Sequence, residues 1–337
     1  MNKTRVAING FGRIGRSVFR LLLNHPSIEV IAINDIANNP TMAHLIKYDS
    51  IHGILANEVS YDEHSIRIDN HPYLFFHEKD ISLLNWSSLY IDIVIEATGK
   101  FKTFDEINQH IVAGAKKVIL SAPYEGDNEQ EAQIKTVVLG VNESILDGTE
   151  KIISNASCTT NNAAPMIKII NDLCGIEQAY ITTVHSYTTD QSLHDQPHKD
   201  LRRARGASQS IVPTTTGAAK ALTKIFPEME GKIGGCGIRV PVPDGSLTDI
   251  TFNVKREVTI AEINEAFQLA SQTNLKGIVA YTEDPIVSVD IIGNKNSCLF
   301  DSQLTSVIDK MVKVVGWYDN EIGYSSRIID LIALVSK

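Results

Sequence analysis

The sequence is poor in cysteine and has no long apolar run. Four of its 337 residues are cysteine, and none of them forms a C-x-x-C pair. The even count leaves two disulfides open, but a chain of this length does not need cross-links, so we expect reduced thiols. No apolar segment approaches the roughly 18–20 residues of a membrane span. The opening MNKTRVAING does not resemble a secretory signal. These absences predict a cytoplasmic protein with no membrane partner.

Positive charge is also scarce. The chain has 31 Lys and Arg against 40 Asp and Glu, a formal net charge of −9. Such a surface does not favour nucleic acid or an anionic membrane as the main partner. An anionic substrate would need cations placed locally against this overall field. Hydrophobic residues make up 43% of the chain, enough for a large core, and the length suits two domains.

The first half alternates apolar strands with helical patterns. We predict a helix at 17–23, a hairpin at 66–76 with its turn at Asn70, and strands at 5–9, 29–34, 91–95, 117–120, 136–139 and 151–153. Near-continuous apolar strands in this alternation indicate a parallel, doubly wound sheet. The acidic stretch 124–133 is interpreted as a solvated loop.

Near residue 155 the pattern changes. We predict helices at 160–173, 218–225 and 322–335, and longer strands at 179–184, 237–242, 248–255, 286–292 and 311–318. Between them, residues 190–210 are polar and basic with no clear period. Because a compact domain rarely keeps an irregular segment of that length, we expect it to be functional or to lie at an interface.

A glycine-rich turn follows the first predicted strand. Residues 10–15 read GFGRIG, the pattern G-x-G-x-x-G. Gly10, Gly12 and Gly15 permit a tight turn and a close approach of the backbone to a pyrophosphate at the positive helix end. Asp35 ends the second strand twenty residues after Gly15, where a carboxylate can accept hydrogen bonds from a ribose diol. A plain loop acid is the alternative for Asp35, but the combination predicts dinucleotide binding.

A cysteine and a histidine form a candidate nucleophile and base. Cys158 lies between a strand and a helix, and Pro165 fits a first helical turn. The helix dipole and free N–H groups there favour the thiolate, although a buried structural cysteine is the alternative. His185 ends a strand and leads into the basic segment. Strand ends gather functional groups and histidine commonly activates thiols, while a core or surface histidine remains the alternative.

Candidate anion-binding groups follow. Arg239 falls within an apolar strand, where it needs either a phosphate or an internal carboxylate as partner. Residues 214–217, TTTG, precede a helical run, which suggests an anion site at a helix start or an ordinary N-cap. Arg202, Arg203 and Arg205 form a charge run, more typical of a solvated or interface face.

Over essentially the whole chain, the sequence resembles the glyceraldehyde-3-phosphate dehydrogenase family. The motifs are, in order, INGFGRIGR, SNASCTTN, HSYTTDQ, PHKDLRRARGASQSIVPTTTGAAKA, RVPVPDGS and WYDNEIGYSSR. The resemblance implies an α/β protein with an N-terminal Rossmann dinucleotide-binding domain (1–157, joined by the C-terminal helix 320–337) and an α+β catalytic domain with a mixed sheet (158–319). It implies NAD-dependent oxidative phosphorylation of D-glyceraldehyde 3-phosphate to 1,3-bisphosphoglycerate with inorganic phosphate. The family is usually a homotetramer, with the 190–210 segment between subunits.

The resemblance also implies residue roles, with no metal. Cys158 would be the nucleophile that forms a thioester, and His185 the base. Asn320 would hold the nicotinamide carboxamide. The other cofactor contacts would be Gly10, Gly12, Arg13, Ile14, Gly15, Asp35, Lys79 and Ser121. The substrate phosphate would be surrounded by Thr188, Asp190 and Arg239. The attacking phosphate would be held by Ser157, Thr159, Thr216 and Gly217.

Departures and alternatives remain. Asn162 stands where relatives commonly have a second cysteine, which removes a possible disulfide with Cys158. Gln196 replaces a common Leu and weakens the inference of strict NAD use. Thr189 replaces a common Asn, and Lys79 occupies a position that is often Arg. The loop 124–135 is longer than usual.

One alternative function is that of erythrose-4-phosphate dehydrogenase, which tends to lack the Tyr-Thr and Thr-Thr-Gly found here at 187–188 and 215–217. The other alternative is a non-catalytic interaction protein, expected to have lost Cys158, His185 or Asn320.

Overall fold

The computed structural model describes residues 3–126 and 133–336. Its contacts divide the chain into two units, one formed by Met1–Val137, Glu143–Ala156 and Ser325–Lys337, the other by Val138–Asn142 and Ser157–Tyr324. The strands are β1 (Thr4–Asn9), β2 (Ile28–Asn34), β3 (Tyr48–Asp49), β4 (Gly53–Ile54), β5 (Val59–Tyr61), β6 (Ser65–Ile68), β7 (His71–Phe76), β8 (Ile93–Glu96), β9 (Lys117–Leu120), β10 (Ile134–Thr136), β11 (Ile152–Ser154), β12 (Ile176–Ser186), β13 (Val212–Thr214), β14 (Ile233–Val240), β15 (Ser246–Val254), β16 (Val279–Thr282), β17 (Cys298–Asp301), β18 (Ser306–Ile308) and β19 (Met311–Tyr318). The α-helices of the described residues are α1 (Arg13–Leu22), α2 (Asn39–Lys47), α3 (Phe104–Val112), α4 (Cys158–Cys174), α5 (Ala218–Ile225), α6 (Ile260–Gln272) and α7 (Ile322–Val335).

The first unit is built on a mostly parallel sheet with the order β10-β11-β9-β8-β1-β2-β7-β6-β5. Pairing is parallel from β10 through β7, and β6 and β5 add an antiparallel edge. Val6, Ala7 and Ile8 of the central strand are fully buried, because strands covered on both faces carry continuous apolar runs. The predicted parallel sheet is confirmed.

The carboxyl ends of the central strands meet at one edge of this sheet. Asn9 ends β1 and pairs in register with Asn34 of β2 and with Glu96 of β8. Ligands of open α/β sheets bind outside this edge. The register therefore brings the glycine turn after β1 and the acid after β2 to the same edge.

The second unit carries a mixed sheet with the order β13-β14-β12-β15-β19-β17-β16, and β18 pairs with β19. The β12–β14 and β16–β17 pairs are parallel, and the remaining pairs are antiparallel. The parallel register sets His185 of β12 beside Arg239 of β14. The mixed sheet expected from the family resemblance is confirmed.

Several predicted elements need correction. The predicted strand at 286–292 is a short 3-10 helix, Ser288–Ile291, because the Asp290 carboxylate accepts a hydrogen bond from Val287 N and closes a turn. The predicted strand at 136–139 ends at Thr136. Pro165 lies inside α4 rather than in its first turn. Helices α2, α3 and α6 were not predicted. Of the loop expected at 124–135, residues 127–132 lie outside the described residues.

The hairpin and the helices at 218–225 and 322–335 match their predictions. Asp69 and Asn70 join β6 to β7 with φ of 48° and 67°, the left-handed geometry of a tight hairpin turn. Within the described residues, no helix combines the length and apolar character that a membrane crossing requires.

Candidate active site

The glycine turn of the first unit has the close packing expected of a nucleotide loop. Gly10 has φ of 96°, and a side chain on it would lie 2.6 Å from the backbone of Thr98. A side chain on Gly15 would lie 2.1 Å from the carbonyl oxygen of Gly10. Only glycine fits at either position, so the backbone at the start of α1 stays open to an approaching ligand.

This turn borders a cleft of about 380 Å³. Of the predicted cofactor residues, four line the cleft: Gly10, Gly12, Asp35 and Lys79. The Asp35 carboxylate accepts hydrogen bonds from Phe11 N at 2.7 Å and from Ala37 N at 3.0 Å. Asp35 thus fixes the glycine turn through Phe11 and remains partly exposed to the cleft.

The other predicted cofactor residues of this unit do not line that cleft. Arg13 makes an ion pair with Asp49 at 2.6 Å. Although burial opposes it, the backbone N–H groups of His52 and Ile51, together with Arg13, hold the pKa of Asp49 at about 2. Ile14 follows Arg13 in α1, and Ser121 donates its backbone N–H to the carbonyl oxygen of Glu96.

A buried polar network lies beneath the cleft and was missed by sequence reasoning. Glu96, 1% exposed, accepts hydrogen bonds from Asn9 Nδ2 at 2.6 Å and Thr98 N at 2.8 Å, and it also contacts the Thr98 hydroxyl. Trp86 donates to His110 Nδ1, so the proton of a neutral His110 ring lies on Nε2 and faces Glu96 at 3.1 Å. Thr98 lines the cleft, so this network holds one of the cleft's lining residues in place. In the sequence, the only sign of the network is an acid, Glu96, at the end of an apolar strand.

In the second unit, the thiol lies at the start of a helix. Cys158 is the first residue of α4, and Ser157 is the N-cap, whose hydroxyl oxygen accepts a hydrogen bond from Thr160 N at 3.1 Å. Ala156, just before the cap, has φ of 55°, an unusual conformation for a residue with a side chain and one that recurs at functional sites.

The thiol contacts the predicted base directly. Cys158 Sγ lies 3.4 Å from His185 Nε2. Burial raises the pKa of Cys158 above its ordinary value, and the Arg239 cation and hydrogen bonds around Thr159 only partly oppose this. Burial, with Arg239 in addition, lowers the pKa of His185 to about 3. Burial thus disfavours both charged forms, the thiolate of Cys158 and the imidazolium of His185, and it opposes the stabilisation of the thiolate expected at a helix N-terminus.

The two ring nitrogens of His185 face different partners, and those partners bear on its tautomer. A thiol that donates to Nε2 requires the ring proton on Nδ1, which lies 2.7 Å from the carbonyl oxygen of Ser186. Arg239 Nη1 donates to the same carbonyl at 3.0 Å and lies 2.7 Å from His185 Nδ1. The carbonyl oxygen of Ser186 favours a proton on Nδ1, whereas Arg239 favours an unprotonated Nδ1 with the proton on Nε2.

The remaining predicted anion groups occupy nearby elements of this unit. Asp190 accepts a hydrogen bond from Arg203 Nη1 at 2.7 Å, and although burial opposes it, Arg203 and His198 lower its pKa. Thr188 lies two residues before Asp190 and two residues beyond the end of β12, and it is half-buried. Thr216 Oγ1 accepts from Ala218 N at 3.2 Å, and Gly217 is the exposed N-cap of α5.

Tyr318 and two serines are further site residues that sequence reasoning missed. The Tyr318 hydroxyl lies 2.9 Å from Thr159 Oγ1 and 3.0 Å from Thr183 Oγ1, and its ring packs edge-on against His185. Asn320 Oδ1 accepts from the hydroxyls of Ser186 and Ser246. The motif around residue 318 was recognised, but the tyrosine itself carried no separate signal.

The substitution at position 162 has a clear structural role. Asn162 is fully buried in α4, and its amide nitrogen donates to the carbonyl oxygens of Ser297 and Trp317, both at 3.2 Å. All four cysteines are free thiols. Asn162 therefore joins α4 to the chain around β17 and β19 in place of a second thiol.

Comparison with known proteins agrees with this geometry. Residues 4–104 match the family model of the glyceraldehyde 3-phosphate dehydrogenase NAD binding domain, and residues 157–320 match the model of its C-terminal domain. The chain is 48% identical over 335 residues to glyceraldehyde-3-phosphate dehydrogenase of Geobacillus stearothermophilus, covering 99% of this chain and 98% of that protein. It is 48% identical over 335 residues to glyceraldehyde-3-phosphate dehydrogenase 1 of Bacillus subtilis (strain 168), with the same coverage. It is 50% identical over 337 residues to glyceraldehyde-3-phosphate dehydrogenase of Streptomyces coelicolor, covering 99% of this chain and 98% of that protein. The chain belongs to the glyceraldehyde-3-phosphate dehydrogenase family.

Proposed function

We propose that this chain oxidises D-glyceraldehyde 3-phosphate to 1,3-bisphosphoglycerate, with NAD as hydride acceptor and inorganic phosphate as second substrate. The observation that carries the proposal is the contact of 3.4 Å between Cys158 Sγ and His185 Nε2, with Arg239 directly beside the imidazole. A nucleophile, a base and a phosphate-binding cation thus occupy one site. Aldehyde oxidation through a thioester needs the nucleophile and the base, and the cation suits a substrate that carries a phosphate.

The first step forms a hemithioacetal on Cys158. His185 Nε2 takes the thiol proton as sulfur attacks the aldehyde carbon, and this proton passes to the aldehyde oxygen, which becomes the hydroxyl. His185 then accepts the hydroxyl proton as the carbonyl re-forms. NAD, when bound, supplies the acceptor for the hydride that leaves the same carbon. The product on the enzyme is a thioester, and a general base of this kind contributes roughly 10²–10⁴-fold.

The second step releases the acyl group. A phosphate oxygen attacks the thioester carbon, the carbon–sulfur bond breaks, and His185 returns its proton to sulfur. Candidate groups for the attacking phosphate are Ser157, Thr159, Thr216 and Gly217. Gly217 caps α5, which supports an anion site at that helix start. The thioester is needed because direct attack of phosphate on the aldehyde would give no activated product.

The substrate phosphate is assigned to Arg239, with Thr188 and Asp190 nearby in the chain. Arg239 is half-buried, its pKa is lowered by burial, and its guanidinium lies 2.7 Å from His185 Nδ1. A dianion there would pair with this half-buried cation. Asp190 holds Arg203, so we assign to Asp190 the placement of a second cation rather than direct contact with the phosphate.

The residues of the first unit fit NAD. The close packing at Gly10 and Gly15 leaves the backbone at the start of α1 open for a pyrophosphate. The Asp35 carboxylate, partly exposed in the same cleft, suits a ribose diol. We assign cofactor contacts also to Gly12, Arg13, Ile14, Lys79 and Ser121, and to Asn320. The proposed domains are 1–157 with 320–337, and 158–319.

We further propose a cytoplasmic homotetramer. The segment at 190–210 leaves Leu193 and Leu201 exposed at 65% and 82%, and Ile211 follows at 69%. Exposed apolar side chains gathered on one segment support an interface between copies of the chain. Free thiols at all four cysteines support the location.

A substitution experiment tests the assignment. Cys158→Ser should fold and lose nearly all NADH formation from glyceraldehyde 3-phosphate, because a serine hydroxyl stays protonated and is a poor nucleophile here. Cys236→Ser, at a half-buried thiol elsewhere on the sheet, is the control and should retain activity. An active Cys158→Ser protein, or a wild type that prefers erythrose 4-phosphate by kcat/KM, would contradict the proposal.

A further inference from the structure

The carboxamide of Asn320 is held from one side by two hydroxyl groups. Asn320 Oδ1 lies 2.8 Å from Ser186 Oγ and 2.7 Å from Ser246 Oγ. Ser186 and Ser246 are at most 1% exposed, and Asn320 is 7% exposed. The three side chains form a buried cluster, which we call the carboxamide clamp.

Strand pairing builds this clamp. Ser186 is the last residue of β12 and follows the base His185. Ser246 is the first residue of β15 and pairs with Tyr318 of β19, two residues before Asn320. The backbone N–H of Ser186 donates to Ser246 Oγ at 3.1 Å, which ties the two serines together. The clamp is therefore fixed to the same strand end as the base.

The hydrogen bonds determine which way the Asn320 amide faces. Ser246 Oγ accepts from Ser186 N, so its own hydrogen is free to donate, and Asn320 Oδ1 is the acceptor within reach. Ser186 Oγ donates to the same oxygen. An Asn320 amide turned by half a rotation would place its NH₂ against both hydroxyls and leave them, among the described residues, without an acceptor. Both serines therefore favour the orientation with Oδ1 inward.

The opposite side of the amide is left to a ligand. Asn320 Nδ2 has no hydrogen-bond partner among residues 3–126 and 133–336. Asn320 is 7% exposed and its Nδ2 keeps contact with solvent, so the NH₂ group is available to donate to an acceptor on a ligand. The carbonyl oxygen of a nicotinamide carboxamide is such an acceptor, whereas its NH₂ group is not.

We propose that Ser186 and Ser246 are positioning residues that hold Asn320 with its NH₂ toward the cofactor, so that the site recognises the carbonyl oxygen of the nicotinamide carboxamide. This inference rests on the proposed function, because it takes Asn320 as the cofactor contact. Fixing the carboxamide in one orientation also fixes which face of the nicotinamide ring is presented to the substrate.

Equilibrium binding of two cofactors separates positioning from mere structural support. NAD carries both a carbonyl and an NH₂ on its carboxamide, so it can pair with either orientation of Asn320. The 3-acetylpyridine analogue of NAD keeps the carbonyl and replaces the NH₂ by a methyl group, so it pairs only with an Asn320 that donates. The dissociation constant of each is measured by calorimetry for the wild type, Ser186→Ala and Ser246→Ala. Ser302→Ala is the matched control, because its buried hydroxyl donates instead to the carbonyl oxygen of Thr282.

The wild type should bind the two cofactors with similar affinity. In each clamp variant, the analogue should lose roughly threefold to tenfold more affinity than NAD, the range expected for one neutral hydrogen bond. Ser302→Ala should leave the ratio of the two dissociation constants unchanged. Equal losses for both cofactors, or no loss in either clamp variant, would overturn the inference while leaving the proposed function intact.

Asn320→Ala separates this inference from the proposal beneath it. If Asn320 contacts the cofactor, this variant should bind NAD more weakly, whether or not the two serines orient the Asn320 amide. An unchanged NAD affinity in Asn320→Ala would overturn both the clamp and the assignment of Asn320. Thermal unfolding of every variant identifies any that fails to fold, and the two serine variants provide independent tests of the same orientation.

Discussion

Arg239→Ala tests the link between this half-buried cation and the substrate phosphate. Arg239 donates to the carbonyl oxygen of Ser186 at 3.0 Å and lies 2.7 Å from His185 Nδ1. A hydrogen bond to a charged group is worth about 1.5–3 kcal/mol. The variant should therefore lose roughly 10–150-fold in kcat/KM for glyceraldehyde 3-phosphate.

The same substitution should also change the thiol. The Arg239 cation opposes the effect of burial on the pKa of Cys158, so its removal should raise that pKa further. Alkylation of Cys158 by iodoacetamide should then be slower at a given pH. The value of kcat/KM for unphosphorylated glyceraldehyde should fall by the same factor as the alkylation rate. The readout for phosphate recognition is therefore the ratio of kcat/KM for the phosphorylated and unphosphorylated aldehydes, in which this common factor cancels.

Arg256→Ala is the control. Arg256 pairs with Glu262 at 3.0 Å on the surface, with both side chains at least 42% exposed, and such pairs contribute little. It should leave both the ratio and the alkylation rate unchanged. If Arg239→Ala lowered kcat/KM equally for the phosphorylated and the unphosphorylated aldehyde, the assignment of Arg239 to the substrate phosphate would be refuted.

Three further predictions concern the cofactor cleft and the base. Asp35→Gly should narrow the preference for NAD over NADP, measured as the ratio of kcat/KM for the two cofactors. A carboxylate about 4 Å from a 2′-phosphate is repelled by roughly 4 kcal/mol at an effective dielectric of 20, before screening by salt. An unchanged ratio would contradict this reading of Asp35. Glu96→Gln should lower the free energy of unfolding by about 1–3 kcal/mol and weaken NAD binding, because the NH₂ of the new glutamine would face donors that the carboxylate satisfies. Urea unfolding measures the stability and calorimetry measures NAD binding; an unaltered stability would contradict the prediction. The pKa of His185 is lowered to about 3 in the folded protein, so as pH falls this histidine is protonated in the unfolded state before it is protonated in the folded state. The free energy of unfolding therefore decreases as pH falls from about 6.5 toward 3, with a slope that approaches about 1.4 kcal/mol per pH unit. His185→Gln should remove that contribution between pH 7.5 and 5.5, and parallel curves for variant and wild type would count against it.

Local patterns in the sequence predict many elements of the fold correctly. The glycine turn, the acid after β2 and the hairpin at 65–76 depend on short-range chemistry that residue type alone reveals. The strand predicted at 286–292 failed because its valines are exposed, at 56% for Val287 and 64% for Val289. An apolar run does not reveal whether a neighbouring strand is available to pair with it.

The site itself depended on long-range register. His185 and Arg239 are adjacent because β12 and β14 pair in parallel, which no spacing along the chain specifies. The helix start at Cys158 was predictable, but the degree of burial was not. Burial raises the pKa of the Cys158 thiol, against the lowering expected at a helix N-terminus.

The dependence of NADH formation on inorganic phosphate tests the central proposal most directly. Wild-type protein is mixed with glyceraldehyde 3-phosphate and NAD, with and without phosphate, and NADH is followed by absorbance in a stopped-flow instrument. Without phosphate, we expect a rapid burst of one NADH per Cys158 followed by little turnover, because the thioester accumulates. With phosphate, turnover should continue and yield an acyl phosphate. Continuous turnover without phosphate, or no burst at all, would contradict a phosphorylating mechanism through a Cys158 thioester.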